Sequence, residues 1–433
     1  MNANKTKKEV LSYIEKNKSK IVDFLAEYIK HPSVNPDLEE NTDVVNCQRW
    51  LAEKIKSYSV FDKVDFWIER EKYANVVALS KGSGSGQSIM FAGHTDTVPV
   101  TLDQEKEWHR DRPPFSGAVK DGKVWGRGAT DMKGGNVAAI MAVAALANVG
   151  VKLSGDILLT FCSSEESGNR SVGVDSIIAR GYKSPVCIVM EASNMKLMPA
   201  IQGEFYFRLK ITGKSSHIAS RHLCIYPSAY EINVPGVNAI EKMIKYLQRF
   251  QEIEREWGIY QKHPLMYPGA MTLNISKISG GETFSSLAET CEVVGSVLYN
   301  PGLDRNEAIG EFKSIVDCVT NSDYWLRQHP PELELPYFLP DKPPVNTPPN
   351  HDLCKALYSS IEFVVGSPPE LKSSVSTSDG NYIADHGIDV ITFGPGDFDM
   401  GAHGTNEYVP VDQVIDCTKI LALTLIDWCG LID

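Results

Sequence analysis

Among the nine cysteines of this 433-residue chain there is no Cys-x-x-Cys pair. An odd, scattered set of this kind reads as reduced, mostly buried side chains, and excludes a disulfide frame or a thiolate zinc site. No run approaches the roughly 20 uninterrupted apolar residues of a membrane span, and the start, MNANKTKKEVLSYIEK, lacks the apolar core of a secretory signal. A cytoplasmic location is expected, with no membrane partner. Basic tails are also missing: 55 acidic residues outnumber 43 basic ones, for a net charge of −12 spread along the chain. That balance argues against nucleic acid as a partner. There is no Gly-x-Ser-x-Gly, and no cysteine has a nucleophile's context, so covalent acyl transfer has no support. The glycine-rich GRGATDMKGG opens a helix after a strand, as phosphate loops do. Its spacing fits neither nucleotide-binding motif, and its central aspartate would repel phosphate.

What is present is a soluble globular composition on a chain too long for one hydrophobic core. Apolar residues recur at helical spacing through VLSYIEKNKSKIVDFLAEYI and VVNCQRWLAEKIKSY. Short apolar runs follow in VDFWIE, NVVALS and SIMFAGH, then a small-residue helix, GGNVAAIMAVAALANVG, and the run DILLTFCS. A helix in SVGVDSIIARG and a buried strand in CIVME complete this part. Such alternation predicts an α/β layer with a largely parallel sheet. From about residue 204 the order becomes EFYFRLKIT, a helix in PGVNAIEKMIKYLQRF, the strands MTLNISKIS and CEVVGSVLYN, a helix in DRNEAIGEFKSIVDCVTN and a strand near PELELPYF. This βαββαβ order predicts a ferredoxin-like unit, and the Pro-rich LPDKPPVNTPPN marks its exit. The expected organisation is a discontinuous α/β domain, 1–203 and 339–433, with an inserted α+β domain at 204–338.

Histidines and acids share one placement, at or just beyond a predicted strand end. His94 and Asp96 follow SIMFAG, Asp131 opens the helix after KVWGRGAT, Glu165 and Glu166 follow DILLTFCSS, Glu191 ends CIVM, and His403 follows VITFGPG through DFDMGA. Strand ends of an open α/β sheet converge on one crevice, and several N and O donors meeting there resemble a site for one or two divalent metals, zinc first among them. Each member alone has an ordinary alternative: a hydrogen-bonded histidine, an aspartate N-cap at Asp131, a solvated glutamate pair. The repetition of one placement is what favours the metal. The adjacent Glu165 and Glu166 are the sharpest feature, because neighbouring like charges repel unless a cation or two separate tasks hold them.

GHTDTVPV, RGATDMKGG, SSEESG, the Glu191 strand end and AHGTNEYVP resemble, in that order, the signatures of the zinc-dependent M20 peptidase and deacylase family. That family includes acetylornithine deacetylase, succinyl-diaminopimelate desuccinylase, aminoacylase and carboxypeptidase G. In the inserted domain, GKSSHIA and PGVNAI resemble two further family elements. The resemblance implies a zinc-hydrolase catalytic domain with an inserted lid and dimerisation domain, and two Zn2+ per subunit, with Co2+ or Mn2+ as substitutes. His94, Asp131 and Glu191 would hold one ion, and Asp131 would bridge to a second completed by Glu166 and His403. Asp96 would orient the His94 imidazole, and Glu165 would take a proton from the attacking water and return it to the leaving amine. The resemblance further implies a cis peptide after Asp131, a homodimer through the inserted domain, and a His217 that crosses the dimer interface to stabilise the oxyanion. Gly394 and Gly396, in the family's GPG turn, would offer backbone N–H groups to substrate.

The chain departs from the family where substrates are gripped. Ser285 falls near the position of a carboxylate-binding Asn, and Leu298 stands at that of an Arg; a buried leucine cannot bind a carboxylate. An extra loop, SRHLCIYPSAYEINV, follows His217. The expected activity is hydrolysis of an N-acyl amino acid or related small amide. A dipeptidase or aminopeptidase is the rival, and an inactive metal-binding scaffold a second; Glu165, which a structural zinc site does not need, weighs against the scaffold.

Overall fold

A computed structural model describes residues 3–40, 42–225 and 234–432. The chain divides into two compact units, Met1–Ile201 with Val345–Asp433, and Gln202–Pro344. The second unit reaches past residue 338 because the Pro-rich segment stays tied to it: Glu204 and Lys342 exchange backbone hydrogen bonds of 2.9 and 2.8 Å, and Arg305 pairs with Asp341.

In the first unit the described residues form a nine-stranded sheet. Its centre runs Ile157–Cys162, Ile89–His94, Val186–Val189 and Asp389–Thr392, and these four neighbours are parallel. Every residue of the strands at Ile157–Cys162 and Ile89–His94 is buried, as expected of strands covered on both faces. The outer strands break the expected parallel pattern. Lys63–Glu69 and Tyr73–Ser80 form an antiparallel hairpin through a turn in which Arg70 and Glu71 take positive φ, a conformation that glycine usually supplies. Tyr73–Ser80 then runs antiparallel to Ile157–Cys162, so the sheet is mixed. Three-residue strands at Ala118–Lys120, Lys123–Trp125 and Tyr408–Pro410 make a further small sheet; runs so short carry no periodic signal.

The helix Gly134–Asn148 is buried on all sides through Leu146, which its lack of a polar face predicts. It packs against the C-terminal helix Val411–Cys429. Gly135 is required there, since a Cβ would strike the carbonyl of Met190.

The second unit has the predicted βαββαβ order. Its four-stranded sheet runs Thr272–Gly280, Thr290–Tyr299, Gly203–Thr212 and Glu332–Glu334, all antiparallel, which is the ferredoxin-like arrangement. Phe205, Phe207, Tyr246, Phe250 and Phe312 form its core. Leu298 is half-buried, on the face of its strand opposite the core residues Val297 and Tyr299. It is therefore not the buried leucine expected, although it offers a carboxylate no charge. Of the loop after His217, residues 226–233 lie outside the described residues. All nine cysteines are free, and seven are buried. Among the described residues, no helix is long and apolar enough to cross a membrane.

Candidate metal centre

Three parallel neighbours deliver the first donors. His94 ends its strand in register with Cys162 of the adjacent one, Glu165 and Glu166 follow that Cys162, and Glu191 lies two residues beyond Val189. Strands that run the same way open their C-terminal ends onto one edge, so residues nearly 100 positions apart arrive together. Asp131 comes from the irregular segment before the helix Gly134–Asn148, with φ −121° and ψ 93° and a cis peptide to Met132.

Two groups of ligand atoms result, His94 with Asp131 and Glu191, and Asp131 with Glu166 and His403, each with its atoms within 4.8 Å of one another. His94 Nε2 stands 3.0 Å from Asp131 Oδ1 and 3.5 Å from Glu191 Oε1. His403 Nε2 stands 3.2 Å from Asp131 Oδ2 and 3.1 Å from Glu166 Oε2. Asp131 thus offers one oxygen to each group.

The donor chemistry fits divalent ions. His94 Nδ1 lies 2.9 Å from the backbone carbonyl of Asp96, a contact that requires N–H at Nδ1, so the neutral ring turns its Nε2 lone pair toward two carboxylates. A lone pair facing carboxylate oxygens is repulsive unless a proton or a metal ion lies between them. Burial works to lower the His94 pKa, but hydrogen bonds to Asp131 and Glu191 outweigh it and drive the group well above its ordinary value. Asp131 and Glu166 likewise push His403 up to about 10. Burial works to raise Asp131, yet His403 and His94 hold its carboxyl well below the usual range. Burial, and then the charge of Asp131, push Glu166 up to about 7 and raise Glu191 as well. Three buried carboxylates thus compete for positive charge that two imidazoles alone supply.

Asp96 meets the His94 ring through its backbone carbonyl rather than its carboxylate, which has another task. It is fully buried, and its carboxylate is 3.7 Å from His94 Nδ1 at the nearest; the backbone carbonyl orients the ring instead. The carboxylate accepts the backbone N–H groups of Glu165 at 3.3 Å and Glu166 at 3.0 Å, and the amide of Asn35 at 2.7 Å. One residue therefore aligns His94 and also pins the glutamate turn. Asn35 was not foreseen; its partner is 61 positions away, and a lone Asn in SVNPD looks like any turn residue.

Gly394 and Gly396 are spoken for inside the fold. The Gly394 N–H donates to Ser193 Oγ at 3.1 Å and the Gly396 N–H to Gln413 Oε1 at 2.7 Å, so neither is open to substrate as arranged here. Their lack of a side chain matters instead: a Cβ on Gly394 would meet the carbonyls of Met190 and Glu191, and one on Gly396 would meet Thr130. His217 and Ser285 belong to the second unit. Both are exposed, the Ile218 N–H donates to the Ser285 carbonyl at 2.9 Å, and His217 Nδ1 accepts from the Ala219 N–H at 3.2 Å.

The sequence profile of Peptidase family M20/M25/M40 matches residues 90–427. The chain belongs to that family. Relatives align along nearly all of it. N-formyl-4-amino-5-aminomethyl-2-methylpyrimidine deformylase of Halalkalibacterium halodurans is 29% identical, covering 98% of this chain and 97% of the relative. The Bacillus subtilis deformylase of the same name is 30% identical, with 96% of each chain covered. Among solved structures, the di-peptidase Dug1p of Saccharomyces cerevisiae superposes with a TM-score of 0.69 over 99% of both chains at 16% identity, a likeness of fold. The family is metal-dependent, and its members hydrolyse amide or peptide bonds; this chain is an M20 amidohydrolase.

Proposed function

We propose that this amidohydrolase removes a small acyl group, formyl above all, from an N-acylated amine that carries no carboxylate. The observation that carries the amidohydrolase chemistry is the pair of ligand groups sharing Asp131. The carboxylate-free substrate is supported by Leu298, half-buried and uncharged where the family places an Arg, and by the deformylases, whose named substrate is an aminomethylpyrimidine formamide.

His94, Asp131 and Glu191 would hold one zinc ion, and Asp131, Glu166 and His403 a second. Bound there, the ions would acidify water and polarise the amide carbonyl. Glu165, anchored through its backbone to Asp96, takes the proton of the attacking water on its carboxylate and passes it to the departing amine nitrogen, a leaving group too basic to depart unprotonated. The two glutamates therefore divide the work, Glu166 as ligand and Glu165 as proton carrier. In the second unit, His217 contributes from a partner subunit of a homodimer to the oxyanion, a role its exposed side chain permits, with Ser285 beside it for substrate. The enzyme works in the cytoplasm.

The test is a comparison of matched substrates. Zinc-loaded protein is assayed by formate or acetate release on N-formyl-4-amino-5-aminomethyl-2-methylpyrimidine and on N-formyl- and N-acetyl-amino acids, and by release of free amino acids on dipeptides. The proposal expects kcat/KM on the formylated pyrimidine at least tenfold above any carboxylate-bearing substrate. Preference for a dipeptide or an N-acyl amino acid would overturn it.

A further inference from the structure

Beneath the second ligand group lies a buried ion pair that the chemistry above does not use. Arg127 and Glu407 are each 1% exposed and meet at 2.8 Å. Stripping both charges of water costs several kcal/mol per ion unless further hydrogen bonds satisfy them, so where those bonds go is informative. Glu407 gives Oε2 to the guanidinium and Oε1 to the backbone N–H groups of Thr130, at 3.0 Å, and Asp131, at 3.3 Å. Arg127 spends its other terminal nitrogen on the carbonyl of Gly404, at 2.9 Å, the residue after His403. The pair therefore grips the backbone of Asp131 directly and that of His403 through its neighbour Gly404, two of the three ligands of the second group.

That loop needs such a grip. His403 and Asn406 both take positive φ, 58° and 56°, unfavourable for residues with a Cβ. On its other side the loop is held by the helix Leu102–Glu107: Gln104 donates to the His403 carbonyl at 3.0 Å, and Asn406 donates to the Glu107 carbonyl at 3.2 Å. The His94 group shares Asp131 with the second but leans less on the pair, since His94 ends a parallel strand and Glu191 lies two residues beyond another.

We infer that Arg127 and Glu407 are positioning residues for the Asp131, Glu166 and His403 group, setting the distance between Asp131 and His403 so that one divalent cation fits between them. The inference rests on the two-ion reading above. Partners of this kind typically change metal affinity by 10- to 100-fold when removed. Arg127→Lys keeps the charge beside Glu407 but cannot also reach Gly404 with a planar fork. The double variant R127M/E407Q removes both charges together, and its amide still accepts from Thr130 and Asp131.

The experiment is equilibrium dialysis of metal-stripped protein against buffered Zn2+, with thermal unfolding of each apo protein measured alongside. Wild type is expected to bind two ions, and His403→Ala to lose the weaker one, which marks the second group. Arg127→Lys and the double variant should weaken that ion at least tenfold while changing the tighter one less than threefold. Adding R127M/E407Q to His403→Ala should leave the remaining ion unmoved. Two ions bound at wild-type affinity by folded Arg127→Lys would overturn the inference, as would equal weakening of both ions, the mark of a merely structural pair. Wild type binding fewer than two ions would instead overturn the reading on which the inference rests.

Discussion

The two ligand groups share Asp131 and differ in nearly everything else. In the first, His94, Asp131 and Glu191 are all buried, and two of the three sit at ends of hydrogen-bonded parallel strands. In the second, the His403 side chain is 55% exposed and rides a loop with left-handed backbone, held by the Arg127–Glu407 pair and by Gln104. A site built on strands inherits their rigidity, whereas a site built on loops needs dedicated supports. The first group should therefore hold its ion more tightly, and the second should depend on residues that touch no metal.

Mutations sharpen this contrast. Glu165→Gln should lower kcat by about 10²- to 10⁴-fold, the usual range for a lost proton carrier, while metal analysis still finds two ions; loss of an ion would mean that the two glutamates had been assigned the wrong way round. His94→Ala should strip the tight ion and abolish turnover, whereas His403→Ala should retain one ion, with metal content after gel filtration as the readout. Removing one partner of the buried pair, as in Arg127→Met, should cost about 3–5 kcal/mol of stability in urea unfolding. Asp96→Asn keeps a single acceptor where Glu165 and Glu166 now share two oxygens, and should lower zinc affinity of the second group by about 10-fold, toward the smaller end for supporting residues. The smallest effect is expected from Leu298→Arg: a few-fold gain in kcat/KM on an N-formyl amino acid, and none on the formylated pyrimidine.

The same contrast explains what was legible in the sequence. His94, Asp131, Glu166, Glu191 and His403 announced themselves because each stands at a strand end or in a recognisable block, and the βαββαβ order of the second unit followed from hydrophobic periodicity alone. Arg127 and Glu407 sat inside two of those blocks, GRGATD and TNEYV, yet nothing in the spacing told that they meet, since their partnership spans 280 positions and a buried ion pair has no periodic signature. Asn35 was hidden for the same reason. Strand direction was also unreadable at the sheet's edge: the runs KVDFWIE and YANVVALS carry no mark of direction, and their turn, Arg70-Glu71-Lys72, carries none of the glycine or asparagine that marks a hairpin. Gly394 and Gly396 were read as donors because a motif shows that a glycine is needed but not whether its N–H or its missing side chain is the reason.

The central claim, that one aspartate joins two unequal metal sites, is tested most directly by anomalous diffraction at the zinc edge from crystals grown at limiting and at excess zinc. The account predicts two peaks about 3.5–4 Å apart on either side of the Asp131 carboxylate, the one beside His94 filled first and the one beside His403 appearing only in excess. A single peak at excess zinc, or a first peak on the His403 side, would contradict it.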